Sequence, residues 1–227
     1  MSSGVQLSFT IGWIAMLLGG VLFWLISRRL PQVEKRHGVA AMTIVFVAFA
    51  NYFAMALGQG DIFFNGRTVY FARYTDWVIT TPILLASLAM FAGNTLSRIA
   101  TLLAALVAAD VYMIVTGLVG NLSSAPYNYY WWIISMVAFL VVLGLIWGPL
   151  RQRASEDGQM APFSKLASML TALWVCYPIV WLVGSSGAEL ISVTVESWLY
   201  LVLDVTAKVG FGFVALSAAR QGQSRAH

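Results

Sequence analysis

Asp204 and Lys208 stand four residues apart in an otherwise apolar run that extends from Ser197 through Trp198, Leu203 and Val209 to Val214. On a helix that spacing puts an acid and a base on one face, one turn apart. The run is long and apolar enough to cross a bilayer, where a lone ammonium is costly and tends to lose its proton. A structural ion pair would explain the two residues plainly. An amine held at membrane depth for chemistry is the sharper reading, because ionisable groups there are rarely kept for structure alone. The choice turns on what another helix presents to them.

A second stretch has the matching chemistry. Arg73, Asp76, Thr80 and Ser87 are spaced by 3, 4 and 7, so they form one polar stripe on a helix. Arg73 lies outermost, Asp76 and Thr80 deeper, and Ser87 toward the opposite end, roughly 16 Å from Asp76 along the axis. Pro82 falls inside this helix and should bend it. Asp76 and Asp204 together with Arg73 and a protonated Lys208 would make a neutral quartet, as a low-dielectric interior demands. An aldehyde attached directly to Lys208 would give a protonated Schiff base with Asp76 and Asp204 as counterions. Trp174, Tyr177, Pro178 and Trp181 recur at helical spacing. Such aromatics are usually plain core, but this set also suits a clamp for a flat, conjugated chain. Asp110 reads as a protonated structural acid bonded to a neighbouring helix. Asn51 reads as helix–helix glue or as a pocket residue. Trp132 and Ser135 are deep enough to face inward, while Tyr127, Tyr129 and Tyr130 suit an interfacial aromatic belt.

The elements that must position these groups are membrane spans. Of 227 residues, 60% are hydrophobic and only 10% charged, with a mean hydropathy of +0.81, which excludes an ordinary soluble domain. Charge-free stretches of about 20 residues place seven spans near 8–27, 38–59, 71–92, 98–119, 127–148, 163–184 and 194–219. The first has neither a positive leader nor a cleavage site after it, so it reads as a retained span. Arg28, Arg29, Lys35, Arg36, Arg98, Arg151, Arg153, Lys165, Arg220 and Arg225 fall on one side, against Arg67 alone on the other. This places the N-terminus outside and the C-terminus in the cytoplasm of a cell (plasma or inner) membrane. The net charge of +4 reflects that bias and gives no case for nucleic acid. Asn65-Gly66 between β-prone residues predicts a small extracellular hairpin between helices 2 and 3. Cys176 is the single cysteine, inside span six, so no disulfide framework exists, and no metal site is expected. The expected fold is therefore an all-α membrane protein, a seven-transmembrane helix bundle forming a single domain over 1–227.

These residues together resemble the microbial rhodopsins of the bacteriorhodopsin type. The resemblance rests on Ala72-Arg73-Tyr74-Thr75-Asp76-Trp77 with Thr80-Thr81-Pro82, on Trp174 through Tyr177-Pro178 to Trp181, and on Leu203-Asp204-Val205-Thr206-Ala207-Lys208. Asp110 with Met113, Thr116-Gly117 and Trp131-Trp132 also fit, so it covers all seven spans. It implies all-trans retinal on Lys208, isomerised by light. The pocket would take Trp77, Thr81, Met113, Trp132, Ser135, Trp174, Tyr177, Pro178 and Trp181. Asp76 matches the primary counterion and proton acceptor, and Asp204 the second counterion, with Tyr52 and Tyr177 as hydrogen-bond partners. Arg73 matches the arginine that moves outward to promote release. The lipid bilayer and protons are the implied partners, in a homo-oligomer, trimer or pentamer.

Several departures bear on mechanism. The cytoplasmic donor position carries Ser87 where many pumps have a carboxylate, and a hydroxyl has no accessible pKa for that task. At the outer end Ser186 replaces one acid of the family's release pair, which leaves Glu196 as the release candidate. Neither His37 nor His227 falls in an expected span, so no imidazole is expected beside Asp76. Trp132 is bulky where carotenoid-antenna relatives have glycine, so no antenna is expected. The leading reading is a light-driven outward proton pump, a transporter and not an enzyme. The alternative is a photosensor working through a separate transducer, since sensory relatives also carry serine at this position. Against the sensor stand the retained Asp204 and a tail after Ala219 without an evident signalling module. An ionised Asp76 argues against a chloride pump, and positions 76, 80 and 87 lack the pattern of a sodium pump.

Overall fold

The computed structural model describes residues 1–32, 34–93 and 96–224. Its helices are α1 (Ser3–Ser27), α2 (Lys35–Ala56), α3 (Phe71–Ala89), α4 (Leu96–Asn121), α5 (Tyr127–Leu145), α6 (Arg151–Glu156), α7 (Met160–Val183), α8 (Val193–Val205) and α9 (Phe211–Ser224). Two π-helical turns, Ile146–Leu150 and Thr206–Gly210, join α5 to α6 and α8 to α9 without a break. The described residues therefore form seven rods, as the charge-free stretches predict. Each rod packs on its successor, and the last returns to the first and second.

Among the described residues, six rods are long and apolar enough to span a membrane. The seventh, α3, has the length but is diluted by Arg73, Asp76 and the Thr80-Thr81 pair. Those same residues are buried, so α3 hides its polarity inside the bundle. Lipid-facing apolar side chains instead crowd α1, where Leu18, Val21 and Trp24 are exposed. The α1 N-terminus is closed by Ser2 Oγ, which accepts from the Val5 amide at 3.4 Å. Ser192 does the same for α8 through the Val195 amide at 3.3 Å.

The predicted hairpin forms between β1 (Ile62–Phe64) and β2 (Arg67–Val69), paired antiparallel with Phe64 opposite Arg67. Asn65 and Gly66 take φ of 49° and 80°, the left-handed pair that a tight two-residue turn requires. Arg67 then ties the hairpin down by donating to the carbonyls of Ser185, Asn121 and Ser123 at 2.7, 2.8 and 3.3 Å.

Two expectations need correction here. α2 begins at Lys35, three residues earlier than expected, so His37 lies inside its first turn and is buried at 2% exposure. The fifth rod also runs past 148 to Glu156, because the π-turn absorbs Pro149 instead of ending the helix. Arg225 and His227 lie outside the described residues, as does the side chain of Arg98.

Close packing of α1 on α2 positions one site residue. A Cβ on Gly12 would fall 2.1 Å from Tyr52 Cδ1, so only glycine lets the phenol come in. Gly12→Ala is expected to lower the thermal midpoint, at an overpacking cost of about 1–3 kcal/mol. An unchanged midpoint would show that Tyr52 can move aside freely.

Candidate functional site

The charged residues meet at mid-bundle. Lys208 Nζ lies 2.6 Å from Asp76 Oδ2 on α3 and 2.9 Å from Asp204 Oδ1 one turn earlier on its own rod. All three side chains are at most 2% exposed. A second helix does supply matching chemistry, so the site is more than an (i, i+4) pair. The π-turn Thr206–Gly210 contains Lys208, a local unwinding that sequence periodicity does not announce and that recurs at functional sites.

The two carboxylates are held very differently. Asp204 accepts from four donors: Tyr52 Oη at 2.7 Å, Tyr177 Oη at 2.9 Å, Trp77 Nε1 at 3.2 Å and Lys208. Those bonds replace the hydration its charge has lost. Asp76 Oδ2 meets Lys208, while its Oδ1 is buried without a partner among the described residues. Thr80, fully buried, donates to the Asp76 backbone carbonyl at 2.9 Å.

Arg73 does not complete the expected quartet. Its Nη1 is 3.7 Å from Glu196 Oε1, and its Nη2 donates to Ser197 Oγ at 2.9 Å. The guanidinium packs against the rings of Phe9, Tyr70 and Tyr200. Spacing along α3 does not show this, because the nearer carboxyl group comes from Glu196, buried at 4% exposure in the first turn of α8. The arginine thus belongs to the end of the site nearest the β1–β2 hairpin. Glu196 Oε2 also accepts from the Ser185 amide at 2.8 Å, and Ser186 is buried beside it with its carbonyl accepting from Asn128. A small chamber lies here, walled by Arg73, Glu196, Ser186, Asn121, Tyr70 and Thr68. Burial pushes the Tyr70 phenol above its usual range, so it remains a neutral donor.

Next to the amine is a cavity offering about 730 Å³ free of protein atoms, its mouth included. Its wall contains all nine expected pocket residues: Trp77, Thr81, Met113, Trp132, Ser135, Trp174, Tyr177, Pro178 and Trp181. Lys208 and Asp204 line it as well. Trp132 is fixed by donation to the Pro178 carbonyl at 3.2 Å, and Ser135 by donation to Met113 O at 2.8 Å. Tyr52 reaches the site through Asp204 and not through the cavity wall. Asp110 is fully buried and bonded to Thr81 Oγ1 at 2.6 Å, in keeping with a structural acid. Asn51 is glue, since its Oδ1 accepts from Thr75 Oγ1 at 2.7 Å.

A model of the family described as bacteriorhodopsin-like protein matches residues 3–222. The chain belongs to the bacteriorhodopsin-like family. Archaerhodopsin-2 of Halobacterium sp. (strain aus-2) is 40% identical over 228 residues, covering 95% of this chain and 86% of that protein. Among solved structures, thermophilic rhodopsin from Rubrobacter xylanophilus superposes with a TM-score of 0.92 at 40% identity, covering 95% of this chain and 96% of that one. The light-driven proton pump rhodopsin of Coccomyxa subellipsoidea gives a TM-score of 0.88 at 32% identity, covering 96% and 97%.

Two aromatic residues of this bacteriorhodopsin-like chain were not singled out from sequence. Tyr200 lines the cavity and faces Arg73, with its ring centroid 4.7 Å from the guanidinium carbon. It precedes Asp204 by four residues, a spacing that could have flagged it. Tyr74 Oη accepts from Trp181 Nε1 at 3.0 Å and Asn121 Nδ2 at 3.2 Å. No local spacing signals that contact, because its partners come from α7 and α4. Ser87 is buried at 3% exposure, on the same stripe as Asp76 but near the apolar cluster of Leu84, Leu85 and Leu88.

Proposed function

We propose that this protein is a light-driven outward proton pump with retinal, in its all-trans form, bound on Lys208 as a protonated Schiff base. The cavity fits that group: Trp132, Trp174 and Trp181 line it together with a single amine, Lys208. Retinal would supply light absorption and a change of shape that alters the basicity and surroundings of the Lys208 nitrogen.

The asymmetry of the two carboxylates carries the reading. Asp204 keeps its four donors only as an acceptor, so it is the fixed negative charge. Asp76 has an oxygen free of partners among the described residues and can take a proton without breaking such a set. The proton leaving Lys208 Nζ therefore passes to Asp76. Loss of the Asp76 charge lets Arg73 lean further toward Glu196, and the outer chamber releases a proton. A protonated Glu196 would give up its proton as Arg73 approaches, and it takes that role alone, since Ser186 cannot share a proton as a second carboxylate would. Thr80 positions the Asp76 turn, and Tyr52, Tyr177 and Trp77 orient Asp204. The N-terminus lies outside and the C-terminus in the cytoplasm, and the single domain over 1–227 works in the lipid bilayer as a homo-oligomer, trimer or pentamer.

A pH-indicator dye in bulk tests the reading after a single flash. Proton release to one side followed by uptake from the other is expected. A complete photocycle without a dye signal would favour the sensor instead.

Reprotonation must begin from bulk, because Ser87 holds no dischargeable proton. Decay of the deprotonated state is expected to slow as pH rises, and azide, a small diffusible donor, should accelerate it. Ser87→Asp should make that step faster and less pH-dependent, by a factor within the roughly 10²–10⁴ range of general acid catalysis. A decay independent of pH and of azide in the unmodified protein would contradict this account of Ser87.

A further inference from the structure

Arg67, on β2, does not line the chamber around Glu196, yet its guanidinium spans two parts of the fold that meet there. Nη2 donates to the carbonyls of Asn121 and Ser123 at 2.8 and 3.3 Å. These lie at and just past the end of α4, where helical carbonyls lack partners and favour a cation. Nη1 donates to the Ser185 carbonyl at 2.7 Å, in the loop between α7 and α8. The amide of that same Ser185 donates to Glu196 Oε2 at 2.8 Å. The loop backbone lies directly on the carboxyl group, since a Cβ on Gly184 would fall 2.8 Å from Glu196 Cδ.

We propose that Arg67 is a positioning residue for proton release, an assignment that rests on Glu196 as the release group. The end of α4 is its anchor, and the Ser185 carbonyl is what it holds. That grip keeps the neighbouring amide on Glu196. A hydrogen bond to a charged acceptor is roughly twice as strong as one to a neutral acceptor. The Ser185 amide therefore favours the carboxylate that exists once the proton has gone, and Arg67 promotes release without touching the acid. Asn128 holds the next carbonyl, that of Ser186, at 3.0 Å. The loop is thus fixed at two successive peptides, and Arg67 grips the residue whose amide meets Glu196.

The consequence is a pH dependence of known sign. Arg73 and Tyr74 of α3, Tyr70 at its N-cap and Tyr200 of α8 face the chamber with Glu196. Arg73 acts on the acid by charge, from 3.7 Å, whereas Arg67 acts through backbone, with a planar fork that reaches α4 and the loop together. Above a midpoint pH, Glu196 gives up its proton as the deprotonated state forms; below it, release waits until later in the cycle. Loss of the amide bond makes the carboxylate harder to form, so the midpoint moves up.

A pH-indicator dye, followed after a flash across a pH series, locates that midpoint. Arg67→Gln should raise it by roughly one pH unit or more, as expected for losing a hydrogen bond to a charged acceptor. Arg67→Lys keeps the charge but not the fork, and should raise it nearly as far. Ser185→Pro deletes the amide hydrogen and should give the same rise, while Ser185→Ala keeps the amide and should give none. Gly184 is extended, with ψ of −165°, which suits a following proline. The Arg67→Gln, Ser185→Pro double variant should shift no further than either single one, because both act on one hydrogen bond. Formation of the deprotonated state should keep its parental rate throughout, which separates the effect from a folding defect. A parental midpoint in Arg67→Gln or Ser185→Pro, a shift in Arg67→Gln that Arg67→Lys does not share, or additive shifts would overturn the positioning role. Glu196→Gln separates this from the reading beneath it. Early release that survives in Glu196→Gln removes Glu196 as the release group, whereas its loss there, with parental midpoints in the Arg67 and Ser185 variants, defeats the positioning role alone.

Discussion

Lys208→Ala protein, prepared with added retinal, is expected to be colourless. Lys208 is the amine that lines the aromatic cavity, 2.6 Å from one carboxylate and 2.9 Å from another, and no other lysine lines it. Truncation also strips both acids of their buried partner, and breaking such a pair costs about 3–5 kcal/mol. The variant should still form the seven-rod bundle, since the apolar clusters on either side of the site do not include Lys208. Far-ultraviolet circular dichroism should therefore match the parent while the thermal midpoint falls. Visible absorption that survives reconstitution would exclude Lys208 as the attachment point.

Asp76→Asn is expected to stop pumping outright while leaving a coloured protein. Its amide keeps the size and can still reach Lys208, but it supplies neither the negative charge nor the proton-accepting oxygen. Removing a negative charge beside a cationic chromophore end lowers the excitation energy, so absorption should move to the red. Acid titration of the parent should give the same shift, because protonation removes the same charge: the blue form exists above the Asp76 transition and the red form below it. In Asp76→Asn the shift should be present at neutral pH and insensitive to acid. Undiminished light-driven pumping in this variant would exclude Asp76 as the acceptor. Asp204→Asn should behave differently, since it disturbs four donors at once and is expected to lose stability as well as function.

The fold was legible because a bilayer leaves few options. Backbone groups must be satisfied within each span, so charge-free stretches and helical spacing fix seven rods and the faces they bury. Asn65-Gly66 was legible for a local reason, the positive φ that both residues adopt. The combined motifs name nine wall residues, and all nine line one cavity. Arg73 was not legible in this way. Counting deep charges paired it with the two aspartates, whereas the fold brings buried Glu196 nearer, a choice that depends on how α8 meets α3. His37 was placed outside a span because charged neighbours suggested a later helix start, yet Lys35 and Arg36 stay at the surface while the ring turns inward. The π-turn at Lys208 also escaped notice, since a single extra residue per turn leaves the (i, i+4) contact to Asp204 intact. Such features arise between elements, where spacing along one helix has nothing to report.

The most direct test of outward pumping is the pH of an unbuffered suspension of cells that express the chain with added retinal. Illumination should acidify the medium, a protonophore should abolish the signal, and the dark should reverse it. Illumination that leaves the medium unchanged or makes it alkaline, in cells whose pigment completes its photocycle, would contradict the outward pump.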